Sequence, residues 1–237
     1  MRLDRYISNT TDYSRKEVKG LLRDSVVRVD GQVVRDPAHH LKPEQTVVLG
    51  NQPLAPLGPR YFMLNKPKGY VCATKDSEHP VVLDLLREPN KDKLQIAGRL
   101  DIDTTGLVLI TDDGKWNHAV TSPRRACHKV YHVCTAGDID PDTGEKFARG
   151  VVLDGEKKRT RPATLEILFA NEARLTISEG KYHQVKRMFA AVGNQVEELH
   201  RESIGNIALD PTLAEGEYRA LSEEEVASVA LEKLAGR

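Results

Sequence analysis

Three short stretches of this 237-residue chain carry side chains whose types and spacing could do chemistry. The first is Gly98-Arg99-Leu100-Asp101-Ile102-Asp103-Thr104-Thr105-Gly106, placed directly before the apolar run Leu107-Val108-Leu109-Ile110. If its first half is extended, Leu100 and Ile102 face one way, and Arg99, Asp101 and Asp103 share the other surface. A carboxylate there could act as nucleophile or base; a polar turn that satisfies its own backbone donors uses the same residues. The segment is not a phosphate loop, because the Gly-Lys-Ser/Thr ending is missing. In the second stretch, Lys129-Val130-Tyr131, period two puts Lys129 and Tyr131 on one face of a strand, where the tyrosine ring could receive a stacked base. The third, Ser178 to Met188, is a glycine turn entering a helix on which Lys186 and Arg187 lie off the apolar stripe. His183 reads there as a cap or surface residue, since no partner stands at metal-ligand spacing.

The elements that must position these residues follow from periodicity. Tyr61–Leu64, Leu107–Ile110, Val130–Val133, Thr164–Leu168 and Arg174–Ile177 read as strands. Val185, Met188, Phe189 and Val192 recur at helical spacing, with Gly193 at the C-terminal cap position. Glu223-Glu224-Glu225 opens a C-terminal helix with the charge its dipole prefers. The expectation is an α+β domain on a mostly antiparallel sheet. Before it, Leu49 to Pro59 holds three prolines and two glycines and reads as a linker. This divides the chain into residues 1–57, linker included, and residues 58–237. In the small part Ser14-Arg15-Lys16-Glu17 is a capping box that starts a helix. Val18, Leu21 and Leu22 form its buried stripe, and Arg15, Lys16, Lys19 and Arg23 face solvent. Asp30-Gly31, between Val26–Val29 and Gln32–Val34, predicts a tight hairpin.

Thirty-five basic and 35 acidic residues cancel, which excludes a uniformly basic nucleic-acid coat. Basic surface must then be local. Residues 1–35 carry a cationic excess of three, and residues 115–132 hold Lys115, Arg124, Arg125 and Lys129 without an acid. Three cysteines with no C-x-x-C encode neither a disulfide framework nor a four-ligand zinc site. No apolar run reaches membrane-spanning length and no signal peptide opens the chain, so the expected location is the cytoplasm with no membrane partner.

Together with Asn65-Lys66-Pro67-Lys68-Gly69 upstream, the Gly-Arg-Leu-Asp segment, the Lys-x-Tyr strand and the His-Gln-Val-Lys-Arg-Met helix resemble the pseudouridine synthases of the RsuA family. The N-terminal order Leu3-Asp4-Arg5-Tyr6-Ile7, Ser14-Arg15, Val27-Arg28-Val29-Asp30-Gly31 resembles the S4 domain, an RNA-binding fold. The resemblance spans nearly the whole chain. It implies a catalytic aspartate at Asp101 rather than Asp103, Arg99 as the residue displacing the flipped nucleotide, and Tyr131 packing on the target base. Lys186 matches the basic partner of the carboxylate, with Arg187 the adjacent alternative, and Ile177 an aliphatic position lining the pocket. RNA would meet Arg15, Lys16, Lys19, Arg23, Arg124, Arg125 and Lys129. No cofactor and no metal is implied. Within the family the likeness is strongest to enzymes of small-subunit (16S) ribosomal RNA, implying uridine 516 as target. The partner would be that RNA, free or in a partly assembled subunit, met by a monomer. The alternatives are a large-subunit enzyme of the same family and a noncatalytic RNA-binding assembly protein. A glycoside hydrolase would need its two carboxylates about 5–9.5 Å apart across a sugar, which two residues of separation do not assure.

Overall fold

The computed structural model describes residues 1–42, 44–54, 58–122 and 127–231. They fall into two compact units, Met1–Arg60 with Arg87–Lys93, and Tyr61–Leu86 with the chain from Leu94 onward.

In the first unit α1 (Leu3–Thr10) and α2 (Arg15–Arg23) pack on a four-stranded antiparallel sheet. Its strands are β1 (Val27–Val29), β2 (Gln32–Val33), β3 (Val47–Leu49) and β4 (Gln52–Leu54), in the order β2-β1-β3-β4. The capping box forms as expected: Ser14 Oγ accepts from the Glu17 amide and Glu17 Oε2 accepts from the Ser14 amide at 2.7 Å. Val18 and Leu22 are buried with Leu3, Ile7, Val27 and Val47. Asp30 and Gly31 take φ of 49° and 81°, the positive pair that a tight hairpin turn needs. The linker reading is corrected at its start, because Leu49 to Leu54 forms the hairpin of β3 and β4. Pro53 is tolerated because β4 is an edge strand, whose outer side needs no amide donor. The segment Arg87–Lys93 joins this unit through Lys93 Nζ, which donates to Ser8 O at 2.6 Å, and Asn90, which donates to Thr11 O.

The second unit is a nine-stranded sheet among the described residues. Its strands are β5 (Tyr61–Lys66), β6 (Gln95–Ala97), β7 (Thr105–Thr111), β8 (Lys129–Thr135), β9 (Thr164–Phe169), β10 (Glu172–Ile177), β11 (Val196–Ile204), β12 (Ile207–Ala208) and β13 (Tyr218–Ala220). The main order is β13-β5-β7-β11-β8-β10-β9, antiparallel except for β7 with β11. The helices are α3 (Gly114–Thr121), α4 (Thr143–Arg149), α5 (Gln184–Ala190) and α6 (Glu223–Leu231). All five strands read from periodicity are present, so the antiparallel α+β expectation holds. One long strand, β11, escaped that reading because Val-Glu-Glu-Leu-His-Arg-Glu-Ser-Ile is too charged to show an apolar alternation.

Strand burial explains the layers. Every residue of β7 is buried: Val108 and Ile110 join one core with Phe62, Leu64 and Val133, and Leu107 and Leu109 join another with Met63, Trp116 and Val120. Strands β8 and β10 alternate buried and half-buried, so only one of their faces is covered. Along one edge β7 meets β11 at its start and β6 at its end. The loop Gly98–Thr104 runs from β6 back into β7, and thus lies where the parallel pair begins.

Candidate active site

The loop between β6 and β7 is not extended. Thr104 N donates to Asp101 O at 3.1 Å, closing a turn over residues 101–104. The expected alternation therefore fails after Leu100, which is buried while Ile102 is half-buried. The physical reason is that this backbone pairs with no strand of the described residues: the Gly69 amide takes Ile102 O at 2.8 Å, and two buried cations also bind its carbonyls. Lys66 Nζ, wholly buried at the end of β5, donates to Thr104 O at 2.8 Å, Pro67 O at 3.0 Å and Ile102 O at 3.3 Å. Burial pulls its ammonium below the ordinary lysine range. At the other end Arg201 of β11 donates to the carbonyls of Gly98 and Arg99.

Both carboxylates nonetheless meet one cation. Lys186 Nζ lies 2.6 Å from Asp103 Oδ1 and 3.4 Å from Asp101 Oδ2. Asp101 keeps a side-chain exposure of 30% and Asp103 of 63%, so Asp101 is the more enclosed of the two. The lysine comes from α5, whose Val185, Met188 and Phe189 are buried as the stripe required. Buried Gln184 anchors the approach to that helix, accepting from Lys181 N and donating to Glu179. Of the two adjacent cations Lys186 is the one at the carboxylates. Arg187 points away, to Glu156 Oε1 at 3.1 Å and the carbonyls of Asp154 and Tyr182. His183 stands at the helix start but its side chain caps nothing; its φ is 47°, and instead of facing only solvent it brings Nε2 to 3.4 Å from Asp101 Oδ1. Its ring stacks on the exposed Tyr182.

For Asp103, burial raises the carboxyl pKa, but the hydrogen bond and charge of Lys186 outweigh it and hold the group below its ordinary 3.8. A depressed carboxylate contributes stability that is full above pH 3.8 and lost as pH falls through the lower folded value. Urea midpoints at pH 5 and pH 3 are expected to fall further for the native chain than for Asp103→Asn, and parallel falls would remove this contribution.

Tyr131 is buried on β8, with Leu175 of β10 and Arg201 of β11 as its strand partners. Lys129 and Ile177 are themselves paired across β8 and β10. Ile177 is 3% exposed and Lys129 donates to Cys127 O. Arg99 is exposed, and its guanidinium has no hydrogen-bond or ion-pair partner among the described residues. Arg124 and Arg125 lie outside the described residues. In the first unit Arg15, Lys16 and Lys19 line an open hollow of about 770 Å³ with Arg2, Arg5 and Asp4. Arg23 is exposed on the same helix but does not line it.

Sequence reasoning missed Arg201. Its signal was its phase: it stands two residues after Leu199, and both are buried.

Comparison with known proteins adds to this geometry. The RNA pseudouridylate synthase family matches residues 60–191, and the S4 domain matches residues 1–47. The chain is 58% identical over 230 residues to ribosomal small subunit pseudouridine synthase A of Escherichia coli K12, covering 97% of this chain and 100% of that protein. It is 51% identical over 229 residues to the protein of the same name from Vibrio cholerae, covering 97% and 99%. A crystal structure of a pseudouridylate synthase superposes with a TM-score of 0.70 at 43% identity, covering 97% and 99% of the two chains. With an S4 domain ahead of a sheet whose central loop presents Asp101 to Lys186, the chain belongs to the RNA pseudouridylate synthase family.

Proposed function

We propose that this enzyme isomerises uridine 516 of 16S ribosomal RNA, acting in the cytoplasm as a monomer on the RNA of a partly assembled small subunit. The likeness to the small-subunit enzymes of Escherichia coli and Vibrio cholerae supports the substrate. The single observation that carries the chemistry is the placement of Asp101, enclosed yet reachable, between Lys186 and His183. In this reading residues 1–57 grip RNA and residues 58–237 do the chemistry.

Pseudouridine formation breaks the N1–C1′ bond, turns the uracil within the pocket and joins C5 to C1′. The C5 hydrogen leaves and N1 gains one, so the product has the composition of the substrate. No electron acceptor or group donor is needed. Asp101 attacks C1′, adds to the uracil ring or takes the 2′ proton. Each route asks for one carboxylate fixed within reach of the nucleoside. Lys186 balances its charge and restrains it from one side, and His183 restrains the other oxygen. A base in a helix must first leave its stack. Arg99, exposed and unengaged, is suited to fill the gap, Tyr131 to stack on the base, and Ile177 to wall the pocket beside it. Lys129, Arg124 and Arg125 would meet phosphates at its rim.

The test of substrate is pseudouridine mapping by carbodiimide adduct and primer extension on 16S RNA incubated with the enzyme. One new stop at uridine 516 is expected. Stops at other uridines alone refute that target, and no stop on any ribosomal RNA leaves only a binding protein. The cationic hollow makes a separate expectation. Replacing Arg15, Lys16 and Lys19 together by Gln should weaken RNA affinity about tenfold or more near 0.1 M salt, and flatten the slope of log affinity on log salt by about two to three. An unchanged slope in a filter-binding titration would mean that these cations meet no phosphate.

A further inference from the structure

The geometry points to Arg201 as a positioning residue for the isomerisation: we propose that its guanidinium ties the ring of Tyr131 to the loop that carries Asp101, and so sets the separation of base platform and carboxylate. This rests on reading Asp101 and Tyr131 as the residues that meet the nucleoside.

Arg201 is 1% exposed. Arginine is almost never buried without an anionic partner, because desolvating the charge is costly. Here no carboxylate of the described residues lies within ion-pair distance, and every acceptor is a carbonyl or a phenol. Nε donates to Leu107 O at 2.8 Å, Nη2 to Gly98 O at 2.5 Å, Nη1 to Arg99 O at 3.4 Å and also to the Tyr131 hydroxyl at 3.4 Å. The guanidinium carbon lies 5.9 Å from the centre of the Tyr131 ring. Three acceptors thus belong to the segment around Asp101, and the fourth is the phenol.

The sheet explains why one side chain can do this. Arg201 is the strand partner of Gly106 on β7 and of Tyr131 on β8. Gly106 lets the backbone of Arg201 come close, since a Cβ there would stand 2.7 Å from Arg201 N, and a Cβ at Gly98 would lie 3.8 Å from both terminal nitrogens. Strands β7 and β8 are not neighbours; β11 separates them. Backbone hydrogen bonds therefore relate the loop to the tyrosine only through an intermediate strand, whereas the flat guanidinium spans them directly with donors at fixed angles. Lys66 holds the other end of the same loop but has no bond to Tyr131. A residue that only filled the core would need no contact with the phenol.

The test compares Arg201→Lys, Tyr131→Phe, their combination and Asp101→Asn, using single-turnover tritium release from 16S RNA, filter binding and thermal melting. Arg201→Lys keeps charge but loses the fork. It is expected to lower the rate about ten- to a hundredfold, the scale of a misplaced reacting group, with RNA affinity within about twofold. Tyr131→Phe should lose most of the same factor, and the double variant should be no slower than the slower single, because both cut one link. A native rate per folded molecule in Arg201→Lys, or effects that multiply in the double variant, would overturn the proposal. Should Arg201→Lys fail to fold, Tyr131→Phe decides: a slower rate at unchanged affinity upholds the tie and a native rate overturns it. Asp101→Asn separates the two layers. If it is inactive while Arg201→Lys is native, only the tie is wrong; if it is active, the reading of the site falls first.

Discussion

Asp101→Asn is expected to lower turnover about 10⁴-fold or more while RNA affinity stays within about twofold. The substitution keeps size and leaves an oxygen for Lys186, so the loop and its turn should persist. What it removes is the negative charge and the electron pair that every route to the product requires. Asp103→Asn is the matched control, because Asp103 takes the shorter contact with Lys186, 2.6 Å against 3.4 Å, yet is twice as exposed. It should keep turnover within about tenfold, since Asp101 retains both Lys186 and His183. Tritium release from uridine-labelled 16S RNA measures both variants. Near-native turnover in Asp101→Asn together with a dead Asp103→Asn would exchange their roles.

The second large effect is on stability. Gly106 has φ of +100°, and a Cβ there would stand 2.7 Å from the backbone nitrogen of Arg201 and closer still to its carbonyl oxygen. Backbone cannot yield as a flexible side chain does. Forcing an L-residue into this conformation costs about 1–3 kcal/mol, and overpacking adds a similar amount. Gly106→Ala should therefore destabilise by about 3 kcal/mol or more and lower Tm by about 6–12 °C. Gly98→Ala, at φ of +88° but with its nearest neighbour 3.6 Å away, carries only the conformational part and should lose about half as much or less. Equal melting temperatures for Gly106→Ala and the native chain would refute the close approach of β7 and β11.

Much of the fold was legible because local patterns report which side of an element is buried. The α5 stripe, the Ser14 capping box and the Asp30-Gly31 turn each need only neighbours within a few residues; the box and the turn formed as read, and the stripe did so up to Phe189, with Val192 lying beyond the helix end at Ala190. Strand β11 was not legible. It sits between β7 and β8 with its outward positions taken by Glu198, His200 and Glu202, so local hydropathy conceals a central strand. The loop carrying Asp101 misled for the opposite reason: its alternation is a proper strand pattern, but no strand of the described residues pairs with it. Lys66, Arg201 and the Gly69 amide take its carbonyls, and the Thr104 amide closes it into a turn on Asp101 O.

By itself, then, the sequence determined the family, the two-part order of RNA-binding and catalytic folds, and the residue types gathered at the site. These are carried by motifs of two to eleven contiguous residues, whose spacing is covalent. Only the tertiary structure decided which partners those residues meet: Lys186 rather than Arg187 at Asp101, His183 beside the same carboxylate, and Arg201 beneath Tyr131. The physical reason is that such contacts join segments tens of residues apart. Their distances are set by strand order and by glycines that let backbones approach, and neither is written in any local period.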